Sequence, residues 1–278
     1  MRSLTVAVAL SAALAGTLAP AAGRADEART RASGRAVLAS QGAALVTVRL
    51  TVKTRVVYEG REDTGPDSTL EVSGTVLQPD GLTALSDFST NPTALFQRSE
   101  DGPQYETETT DVKLVLADGR ELPARFVLRD RDLDLAFVAP VEPVTALPCV
   151  KLMKGLVPAP LDDLIYLSQL GRSFNRHAAL SVGQVRAVVQ RPRTFVVPGA
   201  VDGLLALGGP VFDGRGRAVG LMVLRRAPGP APDMRGFRDL FDAMAAVVLG
   251  ADDVLDVAAQ AAAARDRPQP AKEPVGAD

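Results

Sequence analysis

From about residue 35 onward the chain reads as strands. Val46, Val48, Leu50 and Val52 alternate with Thr47, Arg49, Thr51 and Lys53, the period of two expected of a strand with one buried and one solvated face. Similar short apolar runs recur at 70–77, 112–116, 124–128, 135–138, 164–167, 180–189, 194–197 and 218–224. Turn-forming clusters separate them, among them Gln78-Pro79-Asp80-Gly81, Ala117-Asp118-Gly119 and Asp213-Gly214-Arg215-Gly216. Many short strands at this spacing predict antiparallel barrels or a sandwich and not a parallel α/β sheet. No helix-length periodic run stands out between 35 and 230. Beyond that, Phe237, Leu240, Phe241, Met244 and Val248 fall at helical spacing, with Asp233 placed to cap the start and Gly250 to end it. This predicts an amphipathic helix over 237–249. A second, Ala-rich stretch at 252–265 has its acids first and Arg265 last, the order a helix macrodipole favours. The proline-rich, polar segment DRPQPAKEPVGAD (266–278) has the composition of a disordered tail, and 60–68 and 99–110 read as surface loops.

Composition sharpens this picture at three points. A 46% hydrophobic share is enough for a sizeable core, but with 4% aromatics and no tryptophan that core must be built from Val, Leu and Ala. A net charge of -2 with mixed signs gives no electrostatic basis for nucleic acid or an anionic membrane surface. Arg2, the apolar run LTVAVALSAALAGTL (4–18) and the small residues after it have the order of a secretory signal peptide occupying 1–25. Cleavage is expected after Ala21, Gly23 or Ala25, which places the mature protein in the periplasm or outside the cell. The run is shorter than the ~20 residues of a membrane-crossing helix, so no transmembrane segment is expected after cleavage; left uncleaved, the same run would act as an anchor. The single cysteine, Cys149, has no internal disulfide partner and sits in the apolar stretch LPCVKL, where it reads as a small buried hydrophobe.

Three segments, in order, carry a family resemblance across roughly residues 40 to 226. GTVLQPDGLTALSDF (74–88) is similar to the stretch that ends in the catalytic histidine of trypsin/chymotrypsin-like serine proteases, in particular their bacterial HtrA-like branch. VKLVLADGRELPARFVLRDRDLDLAFV (112–138) resembles that family's strand, Asp-Gly-Arg turn, strand and D-L-A segment, whose aspartate belongs to the triad. VDGLLALGGPVFDGRGRAVGLMVL (201–224) resembles the G-N-S-G-G-P nucleophile loop and the hairpin that follows it. The resemblance implies an all-β fold of two antiparallel β-barrels with a C-terminal helix. The protease-fold domain would span 35–250, with barrels at roughly 35–145 and 146–250, followed by an Ala/Pro-rich tail at 251–278. A PDZ domain, frequent in the HtrA-like branch, is not expected.

Acyl transfer on this fold needs a hydroxyl nucleophile, an imidazole to take its proton, a carboxylate to fix the imidazole, and backbone N–H groups forming an oxyanion hole. By the resemblance, the histidine position falls on Phe88, or on Asp87 or Ser89 with a one-residue slip. The nucleophile position is Leu207, and Leu205 replaces the glycine that helps shape the oxyanion loop. Asp134 alone matches a triad residue. Independently of register, the chain has one histidine, His177, and no serine after Ser181. His177 reads as a surface or half-buried polar residue, and Asp134 as an acceptor of backbone N–H bonds at the opening of its strand. Loss of the triad in an enzyme of this type lowers turnover by roughly 10⁶.

The sequence therefore points to an exported, non-catalytic relative of the serine endopeptidases, a pseudoprotease that binds a peptide or protein partner in the cell envelope. It is expected to have no catalytic residues, cofactor or metal. A structural envelope protein and a relative with unconventional residual hydrolase activity, using acids such as Asp87 and Asp134, are the alternatives. Mass spectrometry of the mature protein is expected to find its first residue between Ala22 and Asp26; intact Met1 recovered from the cytoplasm would contradict export.

Overall fold

The computed structural model describes residues 19–58, 61–91, 104–191, 193–199, 206–226 and 244–265. Its first barrel is built from β1 (Leu45–Tyr58), β3 (Ser68–Val76), β4 (Thr83–Ser86), β5 (Gln104–Val115), β6 (Glu121–Asp130) and β7 (Leu135–Pro140). They lie in the order β1-β3-β4-β7-β6-β5, and β5 pairs back onto β1 to close the ring. The short strand β2 (Arg61–Thr64) extends only the outer end of β1, through Arg55↔Thr64 to Tyr58↔Arg61. The second barrel closes in the order β10-β13-β12-β11-β8-β9. Its strands are β8 (Asp163–Gln169), β9 (Ala178–Val189), β10 (Phe195–Pro198), β11 (Pro210–Asp213), β12 (Ala218–Arg226) and β13 (Met244–Gly250). Every pairing between named strands is antiparallel. Closure leaves neither barrel with a long unpaired edge.

The alternation along the strands decides which side chains fill a barrel and which hold the barrels together. Val46, Val48, Leu50 and Val52 of β1 point into the first barrel, where they join Val72, Leu114, Ala136 and Val138 in one cluster. On β7 the other face, Leu135, Phe137 and Ala139, joins a different cluster shared with the second barrel. β8 and β12 repeat this arrangement. Leu164, Tyr166, Met222 and Leu224 face the second barrel's interior, while Ile165, Leu167, Leu221 and Val223 face the shared cluster. A strand sandwiched in this way is apolar on both faces, which is why LAFVAP and AVGLMVL read as continuous apolar runs.

Helices flank the seam. α1 (Ala19–Gln41) lays Val37 against the shared cluster and donates from Thr30 Oγ1 to Asp163 Oδ2 at 2.7 Å. The last element is α3 (Ala251–Arg265; a one-turn helix, α2, is introduced below), which buries Ala251, Val254, Val257, Ala258 and Ala261 in the same cluster. It is tied to both barrels by polar contacts. The Arg265 carbonyl accepts from Arg125 at 2.7 Å and the Arg265 guanidinium pairs with Asp80 at 2.6 Å, while Asp253 pairs with Arg193 at 2.8 Å. Among the described residues, no helix is long and apolar enough to cross a membrane.

The structure corrects three sequence expectations. Residues 35–41 belong to α1, not to a strand; the stretch is rich in Ala and Arg, and Thr30 and Val37 give it a face to bury. Residues 19–25 of the expected leader are also in α1, and residues 1–18 lie outside the described residues. Met244–Gly250, expected as the end of a helix, is strand β13, paired with β12 through Met222↔Val248 and with β10 through Val196↔Val248. The positions of Val247, Val248 and Leu249 fit either period. Barrel closure requires a sixth strand, and that tertiary demand overrides the helical spacing. Asp233, Phe237, Leu240 and Phe241 lie outside the described residues. The helix that does end the described fold is the Ala-rich stretch after Gly250. Finally, the expected loops at 60–68 and 99–110 contain β2 and the first half of β5.

Because Val254 is fully buried between α3 and the shared cluster, Val254→Ala should cost about 2 kcal/mol. For a chain of this size that is a fall in melting temperature of about 4–8 °C by differential scanning fluorimetry. Asp256→Ala, which loses only an exposed pair with Lys154, should leave the melting temperature nearly unchanged.

Candidate functional site

The seam between the barrels is organised around Asp134. The β6–β7 turn that carries it is shaped by Asp130, whose Oδ1 accepts from the amides of Asp132 at 3.1 Å and Leu133 at 3.0 Å. Asp134 itself sits at φ 55, a left-handed conformation that costs a non-glycine residue about 1–2 kcal/mol. This aims its carboxylate across the seam, where it is 6% exposed. Oδ1 accepts from the Phe88 amide at 2.7 Å; Oδ2 accepts from Ser86 Oγ and from the Leu224 amide, both at 2.7 Å. Ser86 and Phe88 belong to the first barrel and Leu224 to the second, so one carboxylate bonds both. Burial pushes its pKa up to about 6, against the lowering effect of the hydrogen bonds from Leu224, Phe88 and Ser86, and the nearby Asp87 carboxylate pushes it further the same way. Against its ordinary value of 3.8, holding this charge at neutral pH costs on the order of 3 kcal/mol.

Phe88 lies on α2 (Asp87–Thr90), a single turn. The Ser86 hydroxyl caps it by accepting from the Ser89 amide at 3.4 Å, and the Asp134 carbonyl accepts from the Asp87 amide at 3.2 Å. Asp87 and Ser89, the two positions reached by a one-residue slip, are thus tied into this turn, and the Asp87 carboxylate pairs with Arg129 at 2.6 Å. The Phe88 ring is half-buried. It packs against the second barrel's interior cluster, and the Arg226 guanidinium lies over it at 5.4 Å from the ring centre.

Leu207 belongs to that same cluster, with Tyr166, Val211 and Met222, and is 4% exposed. Next to it, Gly208 donates its amide to the Met222 carbonyl at 2.8 Å, and its own carbonyl accepts from Thr75 Oγ1 of the first barrel at 2.7 Å. Gly208 has φ +77, and a Cβ there would lie 2.5 Å from the Ser73 carbonyl oxygen. Only glycine fits where the second barrel's loop meets β3 this closely. Leu205 lies outside the described residues.

The structure thus brings Phe88, Asp134 and Leu207 to one seam: Asp134 is bonded to the Phe88 amide, and Phe88 packs on the cluster that contains Leu207. His177 lies elsewhere, exposed in the β8–β9 connection, with its amide donating to the Phe174 carbonyl. Cys149 is a free, partly buried thiol packed on the first barrel's interior cluster. Among the described residues, no group of three or more His, Cys, Asp or Glu is placed to hold a metal ion. The sequence reading did not single out Ser86, Thr75 or Arg226. Ser86 carried a usable signal, a serine three residues ahead of Ser89 at a helix start; the roles of Thr75 and Arg226 arise only from the meeting of the barrels.

Besides the Asp134 bonds and the Thr75–Gly208 bond, a further polar cluster crosses the seam. Glu71 of β3 receives two bonds from Arg176, at 2.7 and 2.9 Å, and one from Arg172 at 3.1 Å. Burial would raise the Glu71 carboxyl, but hydrogen bonds from Arg176, Arg172 and Arg49 outweigh it and hold the pKa down to about 2.

Comparison with known proteins agrees with this architecture. No curated protein matches the sequence. A solved HtrA-type protease with a tripeptide is similar in fold, with a TM-score of 0.53 at 16% identity, over 81% of this chain. This chain spans 62% of that protein's length. The family profile described as the trypsin-like peptidase domain matches residues 72–221, from the middle of β3 through the Gly208-Gly209-Pro210 loop into β12. With two closed six-stranded barrels meeting at an aspartate, a glycine loop and a D-L-A strand in the expected order, and a profile match over more than half its length, the chain belongs to the trypsin-like peptidase domain family.

Proposed function

We propose that this protein is an exported, non-catalytic member of its family that binds an extended peptide or a protein partner in the cell envelope. One observation carries the reading: the positions matched to the catalytic histidine and nucleophile are Phe88 and Leu207, and both contribute apolar surface to one cluster. The third, Asp134, has its carboxylate oxygens engaged by Ser86 Oγ and two backbone amides. An aspartate so engaged orients a helix turn and a strand. Proton transfer on this fold instead requires a carboxylate that orients an imidazole.

What remains at the seam is chemistry suited to recognition. Phe88 is a half-exposed aromatic surface with the Arg226 cation above it, and aromatic residues and arginine are both enriched at protein interfaces. An envelope location rests on the leader-like sequence at 1–25. A hydrolase using Asp134 with some other group is the second reading, favoured by the raised pKa of that carboxyl. Ser86, the one hydroxyl bonded to it among the described residues, is fully buried, which disfavours this alternative.

A fluorophosphonate probe is expected to leave the mature protein unlabelled; stoichiometric labelling would remove the non-catalytic reading. Peptide-library panning with the mature protein should select extended sequences whose binding is lost in Phe88→Ala. Leu207→Ser should not create a hydrolase and should destabilise the fold by about 3 kcal/mol or more, since it trades a buried side chain for a cavity and an unpaired hydroxyl. Combining it with Phe88→His should still give little turnover, because Leu205 replaces the glycine that the family resemblance places there.

A further inference from the structure

We propose that the cleft between α1 and the second barrel binds a basic, aliphatic segment of a partner protein, its cation seated at Asp162 and Asp163 and its aliphatic surface against Leu161 and Val182. The cleft has a volume of about 990 Å³, enough to enclose several side chains of a ligand. One wall is the first half of α1. The others are the entry to β8 (161–163), residues 182–184 of β9 and the β11–β12 turn around Gly214. It shares no residue with the Phe88–Arg226 surface at the seam.

Five carboxylates and four guanidinium groups line this cleft, and they do not match one to one. Asp26 pairs with Arg29 and Glu27 with Arg31 along α1, and Asp213 pairs with Arg217. Asp162 and Asp163 meet only neutral donors among the described residues. The Asp163 oxygens accept from Thr30 Oγ1 at 2.7 Å and from Gln184 Nε2 at 3.2 Å, and Asp162 Oδ2 accepts from the Ala159 amide at 2.8 Å. These bonds fix the carboxylates in place and leave their charge uncompensated. Two adjacent anions in a concave site focus a negative potential into it. Arg215 is the remaining cation; its amide donates to Asp213, and its exposed guanidinium has no carboxylate partner among the described residues.

Beside these anions the cleft displays aliphatic surface. Leu161 is 76% exposed and Val182 52%. Leu161 is firmly held there. Its amide donates to the Val185 carbonyl at 2.8 Å, and the Val185 amide donates to the Asp162 carbonyl at 2.9 Å. Its φ of 74 is one that glycine adopts freely and leucine does not. A leucine fixed in water on strained backbone contributes nothing to a core, and next to uncompensated carboxylates it fits a ligand that is cationic and apolar at close range. Lysine and arginine join an apolar stem to a charged head in this way. An extended segment also presents carbonyls, which the Arg215 guanidinium is free to meet as a donor.

The test is titration of the isotope-labelled mature chain with the peptide Ac-ALKRA-NH2, followed by amide NMR. Saturable shifts are expected at Leu161, Asp163, Val182 and Gln184 and not at Phe88 or Leu224, with affinity falling as salt is raised. Ac-ALEEA-NH2, with the charge reversed, should not bind. Asp163→Asn should weaken binding about tenfold. Leu161→Gly should weaken it by a similar factor while the melting temperature stays the same or rises, because glycine relieves the positive φ; this variant decides the matter if Asp163→Asn does not fold. Any of four results would overturn the site: no saturable binding at millimolar peptide, equal binding of the acidic peptide, shifts confined to Phe88 and Leu224, or full affinity in Leu161→Gly. Cleft shifts that grow with protein concentration in the absence of peptide would assign it to a second copy of this chain and overturn it equally.

Discussion

The carboxylate of Asp134 is the most deeply buried charged group joining the two halves of this protein by directed bonds among the described residues. One oxygen accepts from Ser86 and from Leu224, residues on different barrels, and the other orients the turn that carries Phe88. Hydrogen bonds to an ionised group are worth about 1.5–3 kcal/mol each, and they must offset the desolvation of a charge that is 6% exposed. The upward shift of the pKa shows that desolvation outweighs them for the charged form. The junction is thus specific in geometry yet costly in charge at neutral pH. The geometry of these bonds fixes how β12 meets β4 and α2.

Apolar packing supplies the bulk of the attraction. The cluster between the barrels draws on both barrels, on Val37 of α1 and on five residues of α3. Strands β7, β8 and β12 serve two cores at once, one face lining a barrel and the other the seam. With no tryptophan and few aromatic residues, this is achieved by many small aliphatic contacts. α3 spans the seam and is pinned at its C-terminal end by Asp80 and Arg125 and at its N-terminal end by Arg193. The proposed binding surface, Phe88 beneath Arg226, rests on this support: the aromatic ring comes from one barrel and the cation from the other.

Leu207 and Phe88 meet in one apolar cluster at the seam. Leu207 fills part of the second barrel's interior, and Phe88 covers that interior from the first barrel. Gly208 keeps the tight approach to Ser73 that allows the loop to dock.

Much of this was legible in the chain itself. Alternation in β1, the turn clusters around Gly81, Gly119 and Gly216, and the Asp134-Leu135-Ala136 strand opening identify an all-β chain, because strand period and turn chemistry are local properties. The lone histidine and the lack of serine after Ser181 restrict the chemistry whatever the fold. Other features were settled only by the tertiary structure. Met244–Gly250 became a strand because the second barrel needed a sixth, although its apolar spacing suited a helix. Residues 19–41 became helical where a strand had been expected from about 35, since burial of Thr30 and Val37 depends on partners more than a hundred residues away, such as Asp163. Above all, Ser86, Thr75, Leu224 and Arg226 acquire their roles only when the barrels meet, because a hydrogen bond or ring contact across a seam leaves no period or motif in the sequence on either side of it.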